Sequence, residues 1–158
     1  MLPALDELLT HLSSTLGPAR EREIEELYQG ALSYAPVPRL PVAMQYPYPD
    51  SSPFTPFRHH DAIGNPEKML FNELTGAFGM SIANRSEVGD DLPVTVRANF
   101  GTVVVSSLFG ARIEQIDDNP PWVRHFEARS DFMKIFDVDV GDVSGGWVAM
   151  LAETYEAY

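Results

Sequence analysis

A chain of 158 residues with 44% hydrophobic content is long enough to bury a core as one domain of common size. It has no cysteine, which excludes disulfides, thiolate metal sites and a cysteine nucleophile. Its net charge of −12, from 11 basic and 23 acidic residues, opposes nucleic acid and polyanionic substrates wherever local arginines do not outweigh the field. No apolar run approaches the ~20 residues of a bilayer span. Asp6 and Glu7 stand where a signal peptide would be basic, so no membrane association is expected and the expected location is cytoplasmic.

Residues 4–16 read as an amphipathic helix, with Leu5, Leu8, Leu9, Leu12 and Leu16 on one face. Gly17 followed by Pro18 reads as a stop and a new start, because Gly suits the position after a helix and Pro the first turn of the next. Residues 18–34 form the second helix, with Ile24, Leu27, Tyr28, Ala31 and Leu32 as its apolar stripe. Its charged side, from Arg20 to Glu26, fits either a docking surface or a solvated face with local ion pairs, and the solvated face is the expectation. Residues 1–35 are thus a helical segment, and residues 36–158 hold the remainder of the fold.

Most of the prolines fall between Pro36 and Pro66, too densely for a helix. Residues 40–44 form at most one short strand. The rest is a long extended loop whose aromatic residues Tyr46, Tyr48, Phe54 and Phe57 give it something to bury. Asn65-Pro66 is a cap and first turn for a helix running to about Ala83. Residues 94–98 alternate and are β-branched, which predicts a strand. Residues 102–109 suit a strand by propensity and a helix by the placing of Val104, Val105, Leu108 and Phe109 before Gly110. Residues 112–116 form a second strand. An acidic turn follows, with Trp122 and Val123 anchoring it against a neighbour. Phe132, Ile135 and Phe136 suggest a short helix. Trp147 to Tyr158 starts a helix that has no stop signal, which predicts a chain continuing beyond Tyr158.

The chain contains no phosphate-cradling glycine loop and no G-x-S-x-G elbow. Asp90-Asp91 and Asp117-Asp118 are candidate acid/base pairs, but each sits in a turn where Asp serves local hydrogen bonding. His59-His60-Asp61 invites a metal, yet adjacent histidines in an extended segment diverge, so polar loop residues are the expectation. In parallel α/β architecture the strand ends carry the active site. This places Arg97, Asn99 and Phe100 as substrate-binding candidates. The alternative is that Asn99 caps the next helix and Phe100 is core.

The segment Arg97-Ala98-Asn99-Phe100-Gly101, with Ser106 to Ala111 and then Asp117 to Val123 as DDNPPWV, resembles the early barrel of the uroporphyrinogen decarboxylase-like proteins. The family comprises haem-pathway decarboxylases and corrinoid-dependent methyltransferases. The resemblance implies an α/β fold, the N-terminal portion of a (β/α)8 barrel preceded by two helices, and it makes residues 102–109 a helix. It also implies Gln45 and Tyr46 on a covering loop, a small-molecule substrate, and a tetrapyrrole- or corrinoid-linked chemistry. The chain departs from the family at two places. Met44-Gln45-Tyr46-Pro47 replaces an arginine-rich loop, and Gly101 stands where the decarboxylases keep an aspartate.

A divergent decarboxylase or methyltransferase is therefore expected rather than a true haem-pathway decarboxylase. It would have no cofactor in this chain, with a corrinoid or zinc in the complete protein. A corrinoid protein or a second chain completing the barrel would be the partner. Because a full barrel takes about 250 residues, this chain alone is expected to be inactive. The competing expectation is a non-catalytic interaction protein or split-barrel subunit that pairs through apolar helix faces.

Overall fold

The computed structural model describes residues 1–43, 53–76, 89–139 and 141–158. Two compact units are formed, one from Met1–Pro56 with Leu70–Val96, the other from Phe57–Met69 with Arg97–Tyr158.

The first unit begins with helix α1, Pro3–Thr15, and helix α2, Pro18–Leu32, each with proline at its first turn. Leu5, Leu8 and Leu12 of α1 and Ile24 and Leu27 of α2 are buried, as their three- and four-residue spacing predicts. Helix α2 closes in a Schellman arrangement: Tyr34 donates its N–H to Ala31, and Ala35 donates to Gly30. Tyr34 occupies the left-handed position at φ 55, normally a glycine site, with its ring fully in water. Phe54 of the proline-rich segment is buried, its ring 5.2 Å from His11 and 6.4 Å from Phe71.

The fold is locked at Asp91, whose carboxylate is almost entirely out of solvent. Arg39 donates to both of its oxygens, Arg20 donates at 2.7 Å, and the Val42 N–H donates at 2.9 Å. The Asp91 N–H in turn donates to the Val42 carbonyl at 2.7 Å. The Arg39 guanidinium, helped by the Val42 N–H and Arg20 and opposed by burial, holds the Asp91 carboxyl well below the usual carboxylate range.

Helix α3, His59–Ala62, is a single turn. Helix α4, Pro66–Thr75, is capped by Asn65, whose side-chain oxygen accepts the Lys68 N–H at 3.1 Å. It ends at Thr75 rather than near Ala83, because Gly76 turns to φ 77. Residues 77–83 of the expected helix lie outside the described residues.

The core of the second unit is Ala62, Met69, Ala98 and Phe100, with Val104, Trp147, Met150 and Leu151 packed against it. Helix α5, Val104–Leu108, is short and closes on Gly110 at φ 74. Gly110 and Ala111 return their N–H groups to Ser107 and Ser106. Of residues 102–109, expected to be a helix, only Val104–Leu108 is helical. Helix α7, Gly146–Ala157, packs along α5. Its Trp147 ring meets Phe100 edge-on at 5.9 Å, and the Trp147 N–H donates to Ser107 Oγ at 2.9 Å. Between α5 and α7 lie strand β1, Ile113–Glu114, strand β2, Trp122–Val123, helix α6, Arg129–Met133, and a 3₁₀ turn at Lys134–Asp137.

These elements correct the expected architecture. Among the described residues the sheet is one antiparallel pair, Ile113 opposite Val123 and Glu114 opposite Trp122, and the rest of the regular structure is helical. That is not a portion of a (β/α)8 barrel, which requires consecutive parallel strands. Residues 94–98 do not form a strand. Ala98 is taken into the apolar cluster, and the following N–H, that of Asn99, points to Met69 Sδ at 3.1 Å instead of a neighbouring strand. β-Branched residues favour a ladder only where one is available. Residues 40–43 are likewise without strand pairing, and Met44 lies outside the described residues.

Candidate functional site

The chemistry-bearing part of the second unit grows out of its hairpin. The turn between β1 and β2 places Asp117 in the left-handed region at φ 53, and Asn119 donates its N–H and side-chain amide to the Ile116 carbonyl at 3.2 and 3.0 Å. The Arg124 N–H donates to the Arg112 carbonyl at 2.9 Å, so the pairing runs one residue past β2. Residues 124–128 then form a ridge that leads into α6.

Two open clefts lie along this ridge, and Arg124, His125, Phe126 and Glu127 line both. One, of about 300 Å³, has Phe109 and Phe126 as apolar walls and Arg112, Arg124, His125, Lys134, Glu127 and Asp131 as polar lining. The other, of about 490 Å³, is lined by Val123, Phe126 and Phe132 with Arg124, His125 and Arg129 at its polar edge. Phe126, Phe132 and Phe136 form a ladder of edge-to-face contacts, with centroids at 6.0 and 6.2 Å. The ladder opens to solvent: Phe132 is 46% exposed and Phe136 70%, and Met133, Trp122 and Val123 of the same segment are also exposed.

Two of the cations are pinned by neighbouring carboxylates. Arg124 Nε donates to Glu114 Oε2 at 2.5 Å, and Lys134 donates to Asp131 at 2.8 Å. Each partner raises the basicity of its cation through that hydrogen bond. Both pairs are exposed and add little stability, so their effect is to hold side chains at the rim. Arg112, His125 and Arg129 have no ion pair or side-chain hydrogen bond among the described residues. The surface combines aromatic side chains with a rim of mixed charge, Arg112, Arg124, Arg129 and Lys134 beside Glu114, Glu127 and Asp131.

The expected site residues are placed differently. Gln45 and Tyr46 lie outside the described residues. Arg97, Asn99 and Phe100 are consecutive but face different surroundings. Phe100 is core. Arg97 is exposed, and its carbonyl accepts the Tyr158 hydroxyl at 3.3 Å. Asn99 turns its side-chain oxygen back to the Gly101 N–H at 3.4 Å. None of the three lines either cleft beside the ridge. Trp122 and Val123 do pair with β1 but are exposed instead of anchored in a core. Asp91 is buried among its partners and Asp117 and Asp118 are exposed. Among the described residues no cluster of three or more histidines and carboxylates could hold a metal ion, and no helix is long and apolar enough to cross a membrane.

Sequence reasoning missed the clefts because Phe132, Ile135 and Phe136 signal only a short helix. The available signal was the recurrence of Trp122, Phe126, Phe132 and Phe136 among charged residues of one short segment.

No family model, no curated protein and no solved structure matches this chain.

Proposed function

We propose that this chain is an interaction protein whose second unit docks a partner protein through the aromatic face beside the 124–128 ridge. The observation that carries this reading is the exposure of Trp122, Phe132, Met133 and Phe136 within one short segment, with Phe132 lining the second cleft. Burying one such side chain yields about 1.5–3 kcal/mol, and aromatic residues with arginine are the usual anchors of interfaces. A set of three or four is enough for a docking site. The alternative, decarboxylation or methyl transfer on a tetrapyrrole- or corrinoid-linked substrate, has the sequence resemblance as its support. The geometry favours docking, because among the described residues no row of parallel strands carries Arg97 and Asn99 to a common strand end.

The test is site-specific photo-crosslinking in the source cells. A benzophenone side chain at Phe136 is expected to give a discrete adduct that Trp122→Ser with Phe132→Ser abolishes, whereas the same probe at exposed Ser13 of α1 gives none. Equal labelling from both sites, or no adduct from Phe136, removes the docking reading.

A further inference from the structure

Residues 35–43 leave the end of α2 as a segment without regular structure in the first unit. None of these residues is buried. Leu40 is 76% exposed and Val42 51%, and only Val37 and Pro41 are half-buried. A segment that buries so little apolar surface gains little from the hydrophobic effect that holds α1 against α2. Among the described residues its hydrogen bonds to the rest of the unit gather at two points. At its root the Ala35 N–H donates to the Gly30 carbonyl at 2.9 Å, and Val37 Cγ1 lies where it leaves no room for a Cβ on Gly30. At its far end Arg39 donates to both oxygens of Asp91, the Val42 N–H donates to Asp91 Oδ2 at 2.9 Å, and the Asp91 N–H donates to the Val42 carbonyl at 2.7 Å.

Three features let this clamp release as a unit. Pro36, Pro38 and Pro41 fix their own φ angles, so the segment moves as a stiff piece instead of fraying residue by residue. Arg20, the other cation on Asp91, belongs to α2, pairs there with Glu23 at 2.9 Å and does not leave with the segment. Asp91 therefore keeps one cation and gains water when Arg39 departs, which avoids the cost of an unpaired buried charge. The turn at the root holds Tyr34, a non-glycine residue, in the strained left-handed region.

We infer that residues 35–43 are a strap that opens at Asp91 as one unit, swinging from Tyr34 while α1 and α2 stay folded. Closed, the Arg39 guanidinium and the Asp91 carboxylate neutralise each other. Open, Arg39 is free on an extended proline-rich arm and water reaches Asp91 and Arg20.

Amide-resolved hydrogen exchange by NMR on the full chain, over a series of low denaturant concentrations, tests this. The Val42 and Asp91 amides are 49 residues apart and meet at the clamp. They are expected to be protected and to exchange together, through an opening at least about tenfold more populated than the one that exposes Ile24 and Leu27 of α2. Their exchange should depend little on denaturant, because the opening uncovers little surface. Ile24→Val in the helical core should raise the exchange of Leu27 about threefold to tenfold and leave Val42 and Asp91 unchanged, since Ile24 stays buried in both states of the strap. Arg39→Gln should raise the exchange of Val42 and Asp91 at least about tenfold, and exposed Arg22→Gln in α2 should not. Should either informative variant fail to fold, the denaturant series on the unaltered protein carries the decision.

Exchange of Val42 and Asp91 with the same rate and denaturant slope as Ile24 and Leu27 overturns the strap in favour of a segment that unfolds only with the helices. A rise at Val42 in Ile24→Val has the same meaning. Unprotected Val42 and Asp91 amides, or exchange unchanged by Arg39→Gln, overturn it by showing that the clamp does not hold the segment.

Discussion

Asp91 carries more of the first unit than any neighbouring residue because its carboxylate is buried and fully partnered. Its sequence context, Gly-Asp-Asp-Leu, reads as an ordinary polar turn. Only the folded chain brings Arg20 and Arg39, remote in sequence, to the same oxygens. Asp91→Asn removes the charge while two arginines remain. A buried broken pair costs about 3–5 kcal/mol, and the partial exposure of both arginines lowers the expected loss to about 2–3 kcal/mol. Chemical denaturation of the variant checks this. The pH dependence follows from the depressed carboxyl: its contribution is present above the unfolded value near 3.9 and is lost as pH falls towards the folded value. Stability should decline by up to about 1.4 kcal/mol per pH unit below about pH 4 from this group, because the unfolded state binds the extra proton. That component is expected to vanish in Asp91→Asn. A variant with the same acid limb would remove the role given to Asp91.

Helices α1, α2, α4 and α7 were legible as elements because their signals are local. Proline at the first turn, an Asn cap and apolar residues at helical spacing all act within a few residues. Starts were legible at Pro18 and at Asn65-Pro66 and ends at Gly17 and Gly110, whereas the end of α4 at Gly76 was not. At Tyr34 a non-glycine residue takes the left-handed position, and α2 stops at Leu32 with no sequence warning. The start of α7 shows a tertiary demand on one position. Gly146 has φ 59, and a Cβ there would lie 2.8 Å from Ser107 Oγ and 3.2 Å from the Ser107 carbonyl. Gly146→Ala therefore combines left-handed strain with a clash against α5, and a loss of about 1–3 kcal/mol is expected. Gly145→Ala, at φ −96 with open space, should cost less than about 1 kcal/mol. Thermal unfolding of the two variants separates these effects; equal losses would remove the close-approach argument.

For the molecule as a whole, exposed aromatics are the feature that stability alone does not require. Phe132→Ser with Phe136→Ser should change the unfolding free energy by less than about 1 kcal/mol, since both side chains already meet water. It should also reduce binding of a hydrophobic dye. A large stability loss with unchanged dye binding would show that the ladder is core. Composition by itself settled the absence of disulfides and thiolate sites, and local punctuation settled the main helices, because those depend on residue identity or on neighbours within a turn. Strand pairing, the burial of Asp91 and the exposure of the Phe126–Phe132–Phe136 ladder depend on which distant residues meet. Of the run at 94–98 only Ala98 enters an apolar cluster, while Val94 and Thr95 are exposed and no partner strand meets them among the described residues. Tertiary structure alone decided that Arg112 and Arg129 would flank aromatic clefts, because their shared surface is made by a two-stranded turn and a short helix that no local periodicity specifies.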